Sequence, residues 1–268
     1  IDSDTARYVW ILEWQEELPI IIRGGVKKII QEQFPTSYIH IQSQRYVIVS
    51  AASELRPDGQ SPVQTLQQLL GRIWKDYPSA HICLSISKAC SSLWHLQKAF
   101  REAKFSMIIG PKLDPHKSIH DFRSYLLYQA LCNCWGAPIL EKVHNSIILP
   151  IQKYDAENKL DLLATLEQYA ACAFNVTRAA EAMQVHRNTL YRRIAKIGAI
   201  LNLDMNASDT HILLYIALQI DNILGIINQK DFYEQVMLGN KTVRGIVKPV
   251  KMVTPFMKIS DLMKILQS

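Results

Sequence analysis

The sequence predicts an α+β fold: an α/β sandwich followed by an all-α domain that contains a helix-turn-helix. Three observations predict it. Between residues 38 and 109, alternating apolar stretches and helically spaced ones succeed one another as hairpin, helix, strand, helix, strand. From residue 149 onward the apolar spacing is helical. Within that second part, Asn175–Ile200 (NVTRAAEAMQVHRNTLYRRIAKIGAI) is patterned as two helices joined by a tight turn, the second helix basic.

The elements follow in order. Residues 1–37 are expected to form an N-terminal helical segment in two pieces, Ala6–Glu17 and Ile20–Phe34, disturbed by Pro19 and Gly24–Gly25 and ended by Pro35. Tyr38–Ile41 and Arg45–Ser50 alternate around Gln42–Gln44, a hairpin pattern. A turn-rich loop covers Ser53–Pro62. Val63–Tyr77 carries Leu66, Leu69, Leu70, Ile73 and Trp74 at helical spacing, and His81–Ser87 alternates as a strand. Leu93–Lys104 is expected to be helical and Phe105–Ile109 to be a short strand closed by Gly110–Pro111. This order predicts helices on a mainly antiparallel sheet. Asp121–Trp135 and Ile139–Ile148 are then expected as helices, followed by a supporting helix over 156–173. From Ser208, a candidate N-cap, a long apolar helix runs to about Ile227; it is either deeply packed or a dimer contact.

The pair at 175–200 carries the chemistry. Asn175 is placed to cap the first helix. Ala179, Ala180 and Ala182 are small enough to permit close helix approach, and Met183 and Val185 bracket the turn. At 3.6 residues per turn, Leu190, Ile194 and Ile197 share one face, the face that packs inward. Asn188, Thr189, Arg192 and Lys196 lie roughly opposite. Asn and Arg pair bidentately with adenine and guanine edges, and Thr189 suits a thymine methyl or a phosphate. Arg187 and Arg193 flank the stripe within reach of phosphates. His186 caps the helix or contacts a phosphate. With Tyr191, these give the candidate DNA-binding set His186, Arg187, Asn188, Thr189, Tyr191, Arg192, Arg193 and Lys196. Residues 174–200 hold five Lys/Arg against one acid, Glu181.

VHRNTLYRRIAKI resembles the C-terminal helix-turn-helix signature of the PucR/CdaR family of bacterial transcriptional regulators. Upstream, Leu149, Pro150, Tyr154 and Asp155 resemble that family's L–P–x–x–x–Y–D entry. Leu160, Leu163, Thr165, Leu166 and Tyr169 resemble the helix after it, so the match covers roughly 149–220. AAEAMQVHRNTLYRRI is more distantly similar to the helix-turn-helix of the nucleoid protein Fis. There the turn residue is usually Gly; here it is Gln184, which implies a slightly different turn. The resemblance implies that residues 38–148 are a degenerate GGDEF-like α/β domain, regulatory or dimerising. The family's Gly-rich turn is replaced by Ser87–Lys88–Ala89–Cys90, and no GGDEF sequence occurs. A cyclase needs acidic metal ligands and a phosphate-cradling glycine turn, so this domain is read as non-catalytic. A surviving nucleotide-cyclase-like or phosphodiesterase activity, and a pure interaction module without DNA contact, stand as alternatives. The implied organisation is 1–37 N-terminal helical segment, 38–148 GGDEF-like domain, 149–228 helix-turn-helix domain and 229–268 basic extension.

Composition bounds the rest. The chain has 268 residues, about half of them apolar, with net charge +6, which suits a polyanionic partner. No apolar run approaches the ~20 residues that span a bilayer. Ile212–Ile227 is interrupted by Gln219, Asp221 and Asn222. The five Cys show no zinc-site spacing and are expected as free buried thiols in a reducing cytoplasm. No cofactor and no metal are expected. The expected partners are double-stranded operator DNA, a second copy in a homodimer and a small-molecule effector, with no membrane. The resemblance favours an activator. The start at Ile1 rather than Met is that expected of a fragment whose sensory domain lies upstream. The extension 229–268 holds seven Lys/Arg against three acids and is expected to pack back, to cross to a partner subunit or to touch DNA.

Overall fold

A computed structural model describes residues 5–14, 16–42, 44–134 and 138–227. The expected basic extension at 229–268 lies outside the described residues. The described chain falls into two compact units, one ending at Leu127 and the other beginning at Tyr128.

The first unit is built on a five-stranded sheet. Its elements are β1 (Arg7–Trp14), α1 (Ile20–Gln33), β2 (Tyr38–Ile41), β3 (Arg45–Ala51), the one-turn α2 (Ala52–Leu55), α3 (Pro62–Asp76), β4 (Ile82–Ile86), α4 (Leu96–Leu113) and β5 (Ile119–Asp121). The sheet order is β2-β3-β1-β4-β5. The first four strands pair antiparallel, and β4 pairs β5 in parallel. This is a split β-α-β arrangement, with β1 in the middle and β3 inserted between β1 and its crossover partner β2. The hairpin Tyr38–Ile41 with Arg45–Ala51 matches the sequence expectation, as does the mainly antiparallel sheet.

The N-terminal expectation is corrected. Ala6–Glu17 is not helical; Arg7–Trp14 is the central strand. The two sides of β1 serve two cores. Trp10, Leu12 and Trp14 join α1 and α3 in one cluster, while Val9 and Ile11 join Ala99, Ala103 and Met107 of α4 in the other. A strand covered on both faces has no polar alternation, so its apolar run resembles a buried helix. Phe105–Ile109 is corrected in the opposite sense. It lies inside α4, where Phe105, Met107 and Ile109 are buried. Gly110 is required there because a Cβ would collide with the His120 ring. Pro111 falls in the last turn of the helix.

α3 begins with a full capping box between Ser61 and Gln64 and buries Leu66, Leu69, Leu70 and Ile73. The expected loop at Ser53–Pro62 contains α2 and a short 3-10 turn. The segment expected as one helix from Asp121 starts instead with the end of β5, a 3-10 turn over Phe122–Tyr125, and then α5 (Leu126–Asn133).

The second unit is helical: α6 (Pro138–Asn158), α7 (Leu162–Ala171), α8 (Val176–Ala182), α9 (Arg187–Leu201) and α10 (Ser208–Ile227). The helix expected over Ile139–Ile148 is the first half of α6, which passes through Pro150. The expected domain boundary at 148–149 therefore falls inside a helix. The unit's core joins Ile147, Ile148 and Ile151 of α6 to Leu166, Leu190, Ile194, Ile197, Leu214 and Ala217.

Candidate nucleic-acid interface

The recognition pair is set by local capping. The Asp155 carboxylate, in the last turn of α6, accepts the first backbone N–H groups of α7 from Leu162 and Leu163, both at 2.9 Å. Asn175 Oδ1 accepts the Arg178 N–H at 3.1 Å and starts α8. Ala179 and Ala180 are buried against the core, as close approach requires, whereas Ala182 is exposed. α8 ends in a Schellman-type turn in which the Val185 N–H reaches the Ala180 carbonyl at 3.0 Å. Gln184 occupies the left-handed position of that turn, with φ 53°. The turn is thus the conformation glycine would adopt, correcting the expectation of a different one. His186 caps α9: its Nδ1 accepts the Asn188 N–H at 3.2 Å.

On α9, Leu190, Ile194 and Ile197 are buried. Arg187, Asn188, Thr189, Arg192 and Lys196 are exposed, and Tyr191 is 46% exposed. Ala195 and Ala199 are exposed too, so the outward strip of the helix is bare over its C-terminal half. The helix carries no acidic residue. Arg187 lies over Tyr191, its guanidinium carbon 5.3 Å from the ring centre and its Nη2 donating to the hydroxyl at 2.9 Å. Lys196 Nζ lies 4.8 Å from the centre of the Tyr154 ring on α6. Arg193 is half-buried, and its Nη1 donates to Thr165 Oγ1 at 3.1 Å, while that hydroxyl donates to the Asp161 carbonyl at 2.8 Å. Arg193 therefore docks α9 on α7, a role its place beside the stripe did not disclose. Tyr154, Asp155 and Thr165 were legible only as members of a spaced motif, without a role.

Two further features belong to the described residues. In the sheet-bearing unit, a cleft of about 590 Å³ is lined by Gln67, Leu70 and Trp74 of α3 and by Lys117, Ile119 and Tyr125 among others. Beside it, Tyr125 donates to Asp114 Oδ2 at 2.8 Å and bonds to the buried His120 Nδ1 at 2.8 Å. Burial pushes His120 down to about 4, against the pull of Asp114. The Cys residues are unpaired thiols, Cys90 and Cys132 buried but Cys134 exposed. Burial pushes Cys83 and Cys132 up to about 12, which makes them poor nucleophiles. Among the described residues no helix is long and apolar enough to cross a membrane.

The sequence model of the PucR C-terminal helix-turn-helix domain matches residues 162–220, from the start of α7 into α10. The chain is 25% identical over 170 residues to the carbohydrate diacid regulator of Escherichia coli (strain K12), covering 62% of this chain and 42% of that protein. It is 30% identical over 124 residues to an uncharacterized protein of Haemophilus influenzae, covering 45% of this chain and 32% of the relative. The matched stretches span less than half the length of these relatives. Among solved structures, the regulator of polyketide synthase expression from Bifidobacterium adolescentis aligns with a TM-score of 0.37 and 17% identity, over 82% of this chain and 81% of that one. Residues 162–220 are thus a PucR-type helix-turn-helix domain, in a chain similar to the carbohydrate diacid regulator.

Proposed function

We propose that this chain is the DNA-binding and non-catalytic part of a cytoplasmic regulator. It acts as a homodimer on a roughly two-fold-symmetric operator, activates a metabolic operon and answers to a small effector. The observation that carries the reading is α9, an acid-free helix whose Asn188, Thr189 and Arg192 stand outward while Leu190, Ile194 and Ile197 are buried. A helix-turn-helix reads one half-site, so a symmetric site needs a second copy. α10 offers Ile212 and Tyr215 on its outward side for that contact. We read the sheet-bearing unit as the degenerate GGDEF-like domain, now including β1, with a regulatory or dimerising role. The cleft beside β5 is where we place the effector; its volume falls in the range of small-molecule sites.

Selection of bound duplexes from a random-sequence library, followed by gel-shift titration, tests the reading. Arg192→Ala is expected to weaken the selected duplex by about 1–3 kcal/mol and to relax preference at one base position. Unchanged affinity for Asn188→Ala and Arg192→Ala together would remove α9 from the groove.

A further inference from the structure

At 100° per residue, Asn188, Arg192, Ala195 and Ala199 form a strip opposite the buried face of α9. Arg187 and Tyr191 lie on one side of that strip and Lys196 on the other. Each flank therefore carries a cation held against an aromatic ring: Arg187 on Tyr191, and Lys196 on Tyr154. The two rings differ in how they are fixed. Tyr191 is one turn along the same helix. Tyr154 comes from α6 and is partly buried against the helical core, so its position is set by the unit's packing rather than by α9. Lys196 itself remains exposed.

The geometry points to Tyr154, a residue outside the helix-turn-helix pair, as a positioning residue for DNA binding. It holds the Lys196 ammonium ready for a backbone phosphate on one wall of the major groove, with Arg187 on Tyr191 serving the other wall. This rests on the reading that α9 enters the groove. The division of labour follows from placement. The groove is about 12 Å wide, so a helix seated in it turns its central strip to base edges and its flanks to the phosphate walls. Asn188 and Arg192 occupy the strip. An ammonium is a point charge that suits a phosphate and carries little base discrimination. A free lysine loses rotamer freedom when it makes that contact; a ring that already orders it removes part of the loss. Arg193 takes no part, because Thr165 holds it toward α7.

The test uses the full chain with two probes, a duplex enriched by selection and a random-sequence duplex, titrated over a series of KCl concentrations. Lys196→Ala and Arg187→Ala are each expected to lower the slope of log affinity against log salt by about 0.9. Both duplexes should weaken alike. Tyr154→Leu is expected to weaken both duplexes about two- to fivefold, and Tyr154→Phe, which keeps the ring, to restore them. In a Lys196→Ala background Tyr154→Leu should have no further effect, a comparison that holds even if Tyr154→Leu lowers the melting temperature equally in both backgrounds. The proposal is overturned if Tyr154→Leu binds like the unaltered chain while Arg192→Ala loses the selected duplex. It is also overturned if the Tyr154→Leu effect persists in full without Lys196. If neither Asn188→Ala nor Arg192→Ala weakens the selected duplex, the groove assignment fails and this inference with it.

Discussion

Gln184 holds a left-handed conformation at the turn between α8 and α9 with no glycine to ease it. A side chain there costs roughly 1–2 kcal/mol, partly offset because glycine gives the unfolded chain more freedom. Gln184→Gly is therefore expected to raise stability by about 0.5–1 kcal/mol in urea unfolding; a loss of stability would mean that the side chain contributes contacts worth more than the strain. His120 sets a second residue-scale expectation. It is normally half-protonated near 6.5 and is pushed to about 4 by burial, with Asp114 opposing and Lys117 reinforcing. Protonation thus favours unfolding: the stabilisation is complete above about pH 6.5 and is lost as the pH falls toward 4. Melting curves across that window should show a steeper decline for the unaltered chain than for His120→Gln. At this scale, the sequence discloses what periodicity governs. Leu190, Ile194 and Ile197 were placed correctly because one helix decides their direction. Arg193 stands beside that stripe as its spacing implies, but its hydrogen bond was not legible, because its partner Thr165 lies 28 residues away and no spacing rule connects them.

The helices of the DNA-binding unit owe their starts to side chains from neighbouring segments. Asp155 is the clearest case, since it accepts two N–H groups of α7 from the end of α6. Asp155→Ala is expected to cost about 1–2 kcal/mol of that unit's stability. Amide exchange should rise first at Leu162 and Leu163; exchange unchanged at both would deny the cap. α3 is legible because one of its faces meets water, and the hairpin because Gln42–Gln44 separates its two apolar stretches, although β3 itself is buried on both faces. α3 and the β2–β3 hairpin show the pattern of their period, and each stands within a residue or two of its expected limits. β1 was read as helix because both its faces are covered, which erases the alternation. The Gly110–Pro111 pair looked like a stop, yet α4 continues past it: the glycine makes room for His120 and the proline sits in the final turn.

At the scale of the molecule, each unit has a hydrophobic core of its own, and one of them carries the helix-turn-helix. That separation was only partly visible in the sequence. The shift from mixed to helical patterning marks it, but the boundary expected between 148 and 149 falls inside α6, which runs on through Pro150. A proline usually ends a helix, and here the surrounding packing of Ile147, Ile148 and Ile151 retains it. The bare C-terminal half of the outward strip of α9 makes a final prediction. Ala195 and Ala199 are exposed, and leucine is nearly as good a helix former as alanine. Ala195→Leu should therefore leave the melting temperature within a degree or two and yet weaken duplex binding about tenfold or more, because under the proposed groove placement the bulk stands where a base edge comes. A co-measured loss of folding would contradict it. Two alanines thus leave an open slot in the molecule's working edge. If α9 enters the groove as proposed, a chain blocked there would be a decoy, folded but unable to read, and it would separate duplex binding from anything else this protein does.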